Sequence, residues 1–321
     1  MVRCKRRTFF YKTLYNKGYF LYPLSILFRM SVSSKILERI LRISGANKRV
    51  SERKFYKKLR QNAIRYKKGE KRLFFFSGVR VHREVYCGMP YYVFVPHSVE
   101  TEKSIMYLHG SGFMNSFRRC QARFAADLAF NTHAKVYFPL YPKLPISTIL
   151  PCFALLHNFY IFLLKKGDVL LCGDSSGAML ALALASERKE AGFVVAISPW
   201  VSLSVGEECR KIRTDAMLSV SVLDRVARLW AYDLAYDSPK LSPINGEYAG
   251  KRLLVFSGEK EIFRPDILRF VREVSKRGAS VVYYEGAGQQ HCYPLWPTPE
   301  GKQARRELYR NMQSVIYGVR K

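Results

Sequence analysis

From residue 104 onward, short apolar runs alternate with longer stretches whose apolar positions recur every three or four residues. The runs SIMYLHG (104–110), AKVYFPLY (134–141), DVLLCG (168–173), FVVAISP (193–199), RLLVFSG (252–258) and SVVYYEG (280–286) lack polar alternation, as strands buried on both faces do. Between and after them, CQARFAADLAFNTH (120–133), STILPCFALLHNFYIFLLKKG (147–167), SSGAMLALALASERKEAG (175–192), PDILRFVREVSKRG (265–278) and ARRELYRNMQSVIYG (304–318) predict helices. This alternation predicts an α/β fold with a mainly parallel central sheet flanked by helices. The apolar helix near Leu150–Leu164 is interrupted by Pro151, His157 and Asn158, which places it on the sheet rather than across a bilayer. Residues 201–250 break the alternation and predict a mainly helical excursion from the sheet's carboxyl edge.

Upstream the texture differs. RLFFFSG (72–78), VHREVYCG (81–88) and PYYVFVP (90–96) predict successive strands. SSKILERILRISG (33–45) carries Ile36, Leu37, Ile40 and Leu41 at helical spacing, and SERKFYKKLRQNAIRYKKG (51–69) places Phe55, Leu59 and Ala63 on one face. The chain therefore divides into an arm (1–32), a pair of helices (33–72) and an α/β domain (73–321) with an insertion near 201–250. The arm's apolar run, Tyr19 to Phe28, is half the length of a spanning helix, contains Pro23 and lies between Lys17 and Arg29. No small-residue cleavage site follows, so a secretory signal is not expected. Two readings stay open for residues 1–30: attachment to an anionic membrane surface, or packing on the domain.

Charge sharpens the division. The 321 residues are 48% hydrophobic, ample for a large core, yet carry a formal charge of +29. Residues 1–72 hold 22 Lys or Arg against three Glu, so most of the excess belongs to the amino-terminal region. Basic runs such as RKFYKKLR raise nucleic-acid binding as a second class of function. No recognisable nucleic-acid module accompanies them, and no specific nucleic-acid partner is expected. Seven scattered cysteines show no metal-ligand spacing, and their odd number fits a reducing, intracellular compartment.

The chemistry gathers around LCGDSSGAM (171–179). A G-x-S-x-G sequence between a strand and a helix is a nucleophile elbow, which exposes the Ser175 hydroxyl at a turn too tight for a Cβ at either glycine. It is no phosphate-binding loop, because no G-K-[ST] follows. YLHGSGF (107–113) ends an earlier strand in small residues, and its N–H groups with that of Ser176 are candidates for an oxyanion hole. His291, in GAGQQHCYP after the last strand, is the candidate base. After RLLVFSG the loop EKEIFRPD offers Glu261 as the leading acid. Asp266 is the alternative, more at home in the first turn of a helix, and Glu259 is a third choice.

With these residues in place, the chain resembles the alpha/beta-hydrolase superfamily, and within it the hormone-sensitive-lipase-like esterases. PLYPKLP (139–145), SPW (198–200), LSPING (241–246), SGEKEIFRPD (257–266) and HCYPLWPTPEGKQA (291–304) are most similar to a branch of bacterial esterases and fungal steryl acetyl hydrolases. The resemblance covers about residues 75–320 and implies an alpha/beta-hydrolase fold with a helical cap. Ser175 would be nucleophile, His291 base and Glu261 acid. Ser111, Gly112 and Ser176 would supply oxyanion N–H groups, with His109 and Gly110 in the supporting loop. Ser111 and Ala178 stand where the family usually has glycine. The implied reaction is hydrolysis of short-chain, often acetyl, esters of apolar alcohols or lipids through an acyl-enzyme, without a metal or organic cofactor. A catalytically silent hydrolase fold used for binding is the rival reading. The family also implies that the helices of 33–72 help form the cap; nothing in the chain speaks to oligomeric state.

Overall fold

The computed structural model describes residues 11–15, 30–45, 47–48, 50–67 and 74–318. The run Tyr19–Phe28 lies outside the described residues. Among the described residues nine strands, β1 (Tyr11–Tyr15), β2 (Val79–Tyr86), β3 (Met89–Pro96), β4 (Ser104–Leu108), β5 (Lys135–Pro139), β6 (Val169–Asp174), β7 (Phe193–Ile197), β8 (Arg252–Gly258) and β9 (Ser280–Gly286), form one sheet. Their spatial order is β1-β9-β8-β7-β6-β4-β5-β3-β2. The six strands from β5 across to β9 pair in parallel, while β1, β2 and β3 join antiparallel. Strand β1, which the apolar pattern does not announce, extends the sheet edge by pairing Tyr11–Tyr15 with Val281–Glu285.

Among the described residues nine helices flank this sheet: α1 (Val32–Ser44), α2 (Glu52–Lys67), α3 (Arg119–Thr132), α4 (Ile149–Leu164), α5 (Ser176–Glu187), α6 (Glu207–Lys211), α7 (Val220–Ala231), α8 (Arg264–Lys276) and α9 (Pro299–Ile316). Two apolar clusters fill the spaces on either side. Helices α4, α5 and α8 contribute to one, α3 and α9 to the other. Every residue of α5 from Ser176 to Ala185 is buried, as expected of a helix apolar all round. Among the described residues no helix is long and apolar enough to cross a membrane.

The chain order sets the site. From β4 the chain crosses through α3 to β5 on one side, then returns through α4 to β6 on the other. The loops after β4 and β6 therefore emerge side by side at the carboxyl ends of the strands, where open α/β sheets bind ligands. Leu108 pairs with Gly173, which brings residues 109–112 next to Ser175.

One expectation needs correction. RLFFFSG is not a strand where it is described: Phe76 makes only an isolated bridge to Val79. Its aromatics serve packing instead, with the Phe74 ring against Tyr92, Phe94 and Phe117. Helix α1 forms where its spacing predicts it and ends at Gly45; Leu41 is buried, while Ile36 and Ile40 are more than half exposed. Polar contacts hold that helix: Ser31 and Ser34 donate to the Glu300 carboxylate at 2.8 Å, and Lys260 reaches Glu38 at 2.7 Å. Helix α2 is tied to the loop after β4 by Asn62, whose amide donates to the Met114 carbonyl. Its neighbour Val50 accepts from Arg225 of α7 at 2.7 Å.

Candidate active site

Ser175 caps α5 with φ 54° and ψ −123°, a left-handed conformation costly for a residue with a Cβ. The surroundings impose it. Ser175 N–H donates to the Ile197 carbonyl at 2.8 Å, and the next helix begins at once. A Cβ at Gly177 would land on the carbonyl oxygen of Leu108, and one at Gly173 would stand 2.6 Å from the carbonyl oxygen of Gly177. The two glycines let β6, the turn and α5 approach this closely.

The loops after β8 and β9 bring two more side chains to the turn. His291 Nε2 lies 2.9 Å from Ser175 Oγ, and its Nδ1 lies 2.7 Å from Glu261 Oε2. Glu261 is wholly buried and His291 nearly so, whereas Ser175 stays partly accessible. With Nδ1–H donated to Glu261, Nε2 is left to accept from the serine hydroxyl. Burial drives the imidazole towards neutrality, but the hydrogen bond and charge of Glu261 outweigh it and hold the ring above its ordinary range. Backbone bonds fix both loops: Ile262 N–H donates to Asp215 at 2.9 Å, Cys292 N–H to Ser198 Oγ at 2.9 Å, and Trp296 Nε1 to the His291 carbonyl at 3.1 Å.

The other candidate acids are occupied elsewhere. Asp266, in the first turn of α8, accepts from Gly206 N–H and pairs with Arg269, each at 3.3 Å. Glu259 accepts from Gly288 N–H.

The loop after β4 turns its N–H groups inward. Those of Ser111 and Gly112 both donate to the Ser176 hydroxyl, at 3.0 Å each. Ser176 Oγ thus fills the point on which two expected oxyanion donors converge. Motif spacing identified the backbone N–H of Ser176 but gave no sign of this role for its side chain.

Asp174, beside the elbow serine, escaped the sequence reading although it lies inside the motif. It accepts from Tyr107 at 2.7 Å and from Gly110 N–H and Gln121 Nε2 at 2.8 Å, tying β4, the oxyanion loop and α3 together. Burial raises its pKa, and these three bonds partly offset the rise.

His109 is also structural in its contacts. Its ring stacks between Phe138 and Tyr141, at 5.2 and 4.8 Å, while Tyr141 donates to its carbonyl at 2.6 Å. Burial and the nearby Lys143 charge press its pKa far down, leaving a neutral ring.

A cavity of about 260 Å³ opens over Ser175 and His291. Met217, Leu218, Leu223 and Val226 of the 201–250 excursion form one wall, and Val50, just before α2, and Phe55 of α2 close it from the amino-terminal side. Trp200 lines the cavity. Trp230, by contrast, is packed beneath it, stacked on Phe113 at 4.3 Å.

Residues 105–295 match the family described as alpha/beta hydrolase fold, and the chain belongs to that family. It is 27% identical over 220 residues to an esterase of Acinetobacter venetianus, covering 64% of this chain and 72% of the relative. It is also 27% identical over 217 residues to an acetyl-hydrolase of Streptomyces hygroscopicus, covering 63% of this chain and 72% of the relative. The crystal structure of an esterase from the bacterial hormone-sensitive lipase family shares its fold with a TM-score of 0.77. That likeness spans 90% of this chain and 100% of the other at 19% identity.

Proposed function

We propose that this protein is a serine esterase that cleaves short-chain esters through an acyl-enzyme on Ser175. It is a carboxylic ester hydrolase of the hormone-sensitive-lipase-like kind. The observation that carries the reading is the run Glu261–His291–Ser175, with contacts of 2.7 and 2.9 Å, beside inward-facing N–H groups of residues 111 and 112. His291 takes the Ser175 proton as Oγ attacks the ester carbonyl, and Glu261 stabilises the imidazolium. The oxyanion is held by the N–H groups of Ser111, Gly112 and Ser176, which requires the Ser176 hydroxyl to turn aside. His291 then protonates the departing alcohol, and water, activated by the same histidine, hydrolyses the acyl-enzyme.

The small cavity and its apolar wall favour short acyl groups, acetyl among them, and its likeness to an acetyl-hydrolase points the same way. On chromogenic esters from acetate to decanoate, kcat/KM is expected to peak at the short end. A rate that climbs with chain length would refute the short-acyl reading. In the same assay Ser176→Ala, which keeps the backbone donor and removes the competing hydroxyl, is expected to raise kcat/KM about fivefold. A fall would mean that the hydroxyl supports the oxyanion rather than competing with it.

Helices α1 and α2, with the 201–250 excursion, act as a cap over this cavity. Reversible attachment to an internal, anionic membrane is the second part of the proposal. Val32, Ile36, Ile40 and Ile43 form an exposed stripe along α1, and Lys35, Arg39 and Arg42 border it on one side. Co-sedimentation with anionic liposomes is expected to weaken when residues 1–30 are removed or the three isoleucines become serine. Indifference of the full-length protein to liposomes at low salt would rule attachment out.

A further inference from the structure

The active-site cavity shares a wall with a second depression of about 520 Å³. Lys58, Asn115 and Ser116 line both spaces, and Lys54, Lys57 and Arg65 of α2 complete the basic side of the second. Arg118 stands on the active-site side of the same wall. Among the described residues no Asp or Glu lines the second depression, and the first contains only Asp174, whose oxygens are engaged by Tyr107, Gly110 and Gln121. None of the five cations pairs with an acid among the described residues, although Arg42, Arg210, Lys260 and Arg264 do so elsewhere on the surface.

That imbalance is unfavourable on its own. Partial desolvation along the wall and the charges of Arg118 and Arg65 press the Lys58 ammonium below its ordinary range, although the residue as a whole remains exposed. An anion at the junction would relieve the repulsion and gain charge-assisted hydrogen bonds from Lys58 and Arg118.

We infer that the basic depression is a subsite for an anionic group, of the phosphate or carboxylate class, on the part of the ester substrate remote from the scissile bond. The inference rests on the esterase reading above and gives its substrate a charge. The apolar cavity takes the ester and its short acyl group. The anion fixes the other end at Lys58, and discrimination between charged and neutral esters follows.

The test compares an acetyl ester of a neutral alcohol with the same ester carrying a phosphate on the alcohol. Wild-type protein is expected to favour the phosphorylated ester about tenfold in KM, an advantage that shrinks as salt rises. Lys58→Gln and Lys54→Gln/Lys58→Gln change exposed positions of α2. They are expected to remove that advantage, raising KM for the phosphorylated ester about tenfold, to the level of the neutral ester. Equal KM values for the two esters in wild type, or an advantage that survives both variants, would overturn the subsite.

A readout independent of turnover separates this claim from the esterase reading. The non-cleavable amide analogue of the phosphorylated ester is expected to bind Ser175→Ala protein about tenfold more tightly than it binds Ser175→Ala/Lys58→Gln. Equal binding overturns the subsite even if hydrolysis is intact; unequal binding without any Ser175-dependent hydrolysis upholds it and fails the esterase reading instead. Presenting the phosphate on phosphatidylglycerol vesicles distinguishes a lipid headgroup from a soluble anionic ester. A Lys58-dependent gain confined to vesicles assigns the headgroup, and one seen with the soluble ester assigns the free substrate.

Discussion

Replacing Ser175 with alanine is expected to lower kcat for a short acetyl ester by about 10⁵- to 10⁶-fold, with the fold unchanged. The size follows from the role: without Oγ no acyl-enzyme forms, and only binding and the oxyanion N–H groups remain to assist water. Folding should survive because the strained turn is held by backbone contacts, Ser175 N–H to Ile197 and Met179 N–H to the Ser175 carbonyl at 3.2 Å, that alanine preserves. Circular dichroism and the melting temperature check that condition. Equal turnover by wild type and variant would leave the protein a hydrolase fold without this chemistry.

The second large effect belongs to Glu261. Glu261→Gln is expected to reduce kcat by about 10³- to 10⁴-fold, because an amide facing Nδ1 no longer stabilises the imidazolium and favours the wrong tautomer. The pH profile separates this from simple damage. Only neutral His291 can accept the serine proton, so turnover rises with pH as the ring deprotonates. Since Glu261 holds the ring above the ordinary imidazole range, the acid limb in wild type is expected at a higher pH than an unpaired histidine would give. Removing the carboxylate's charge should move the limb to lower pH as the rate collapses. An unmoved limb would separate Glu261 from His291. Asp266→Asn, which loosens contacts to Gly206 and Arg269, should cost stability rather than turnover.

The alternation of short apolar runs with helical periods is enough to read the parallel sheet, because β4 to β9 are buried on both faces and their sequences carry little else. Helices α3, α4, α5 and α8 are equally legible. The reading fails where packing overrides local pattern. Phe74 and Phe76 have strand-like neighbours, yet their rings are drawn into an aromatic cluster and the backbone leaves the sheet. Helix α1 is legible as a helix, but which of its apolar positions are covered is not: it is fastened through Glu300 and Lys260 and leaves Ile36 and Ile40 outside.

At the site, Ser175, Glu261 and His291 are recognisable because each follows a different strand by a few residues, a constraint written in linear order. Asp174 and Ser176 are not, since their hydrogen bonds join β4 and the loop after it to the elbow across more than sixty residues. The basic character of α2 is plain from composition. That Lys58 shares a wall with the catalytic cavity depends on how α2 docks, which no local pattern specifies.

The most direct test of the account is labelling by a fluorophosphonate, which reacts with a serine only when a base and an oxyanion hole are in place around it. Intact mass and peptide mapping are expected to find one adduct per chain, on Ser175, suppressed by excess short-chain ester and absent from Ser175→Ala. An unlabelled wild-type protein, or an adduct that persists in Ser175→Ala, would contradict it.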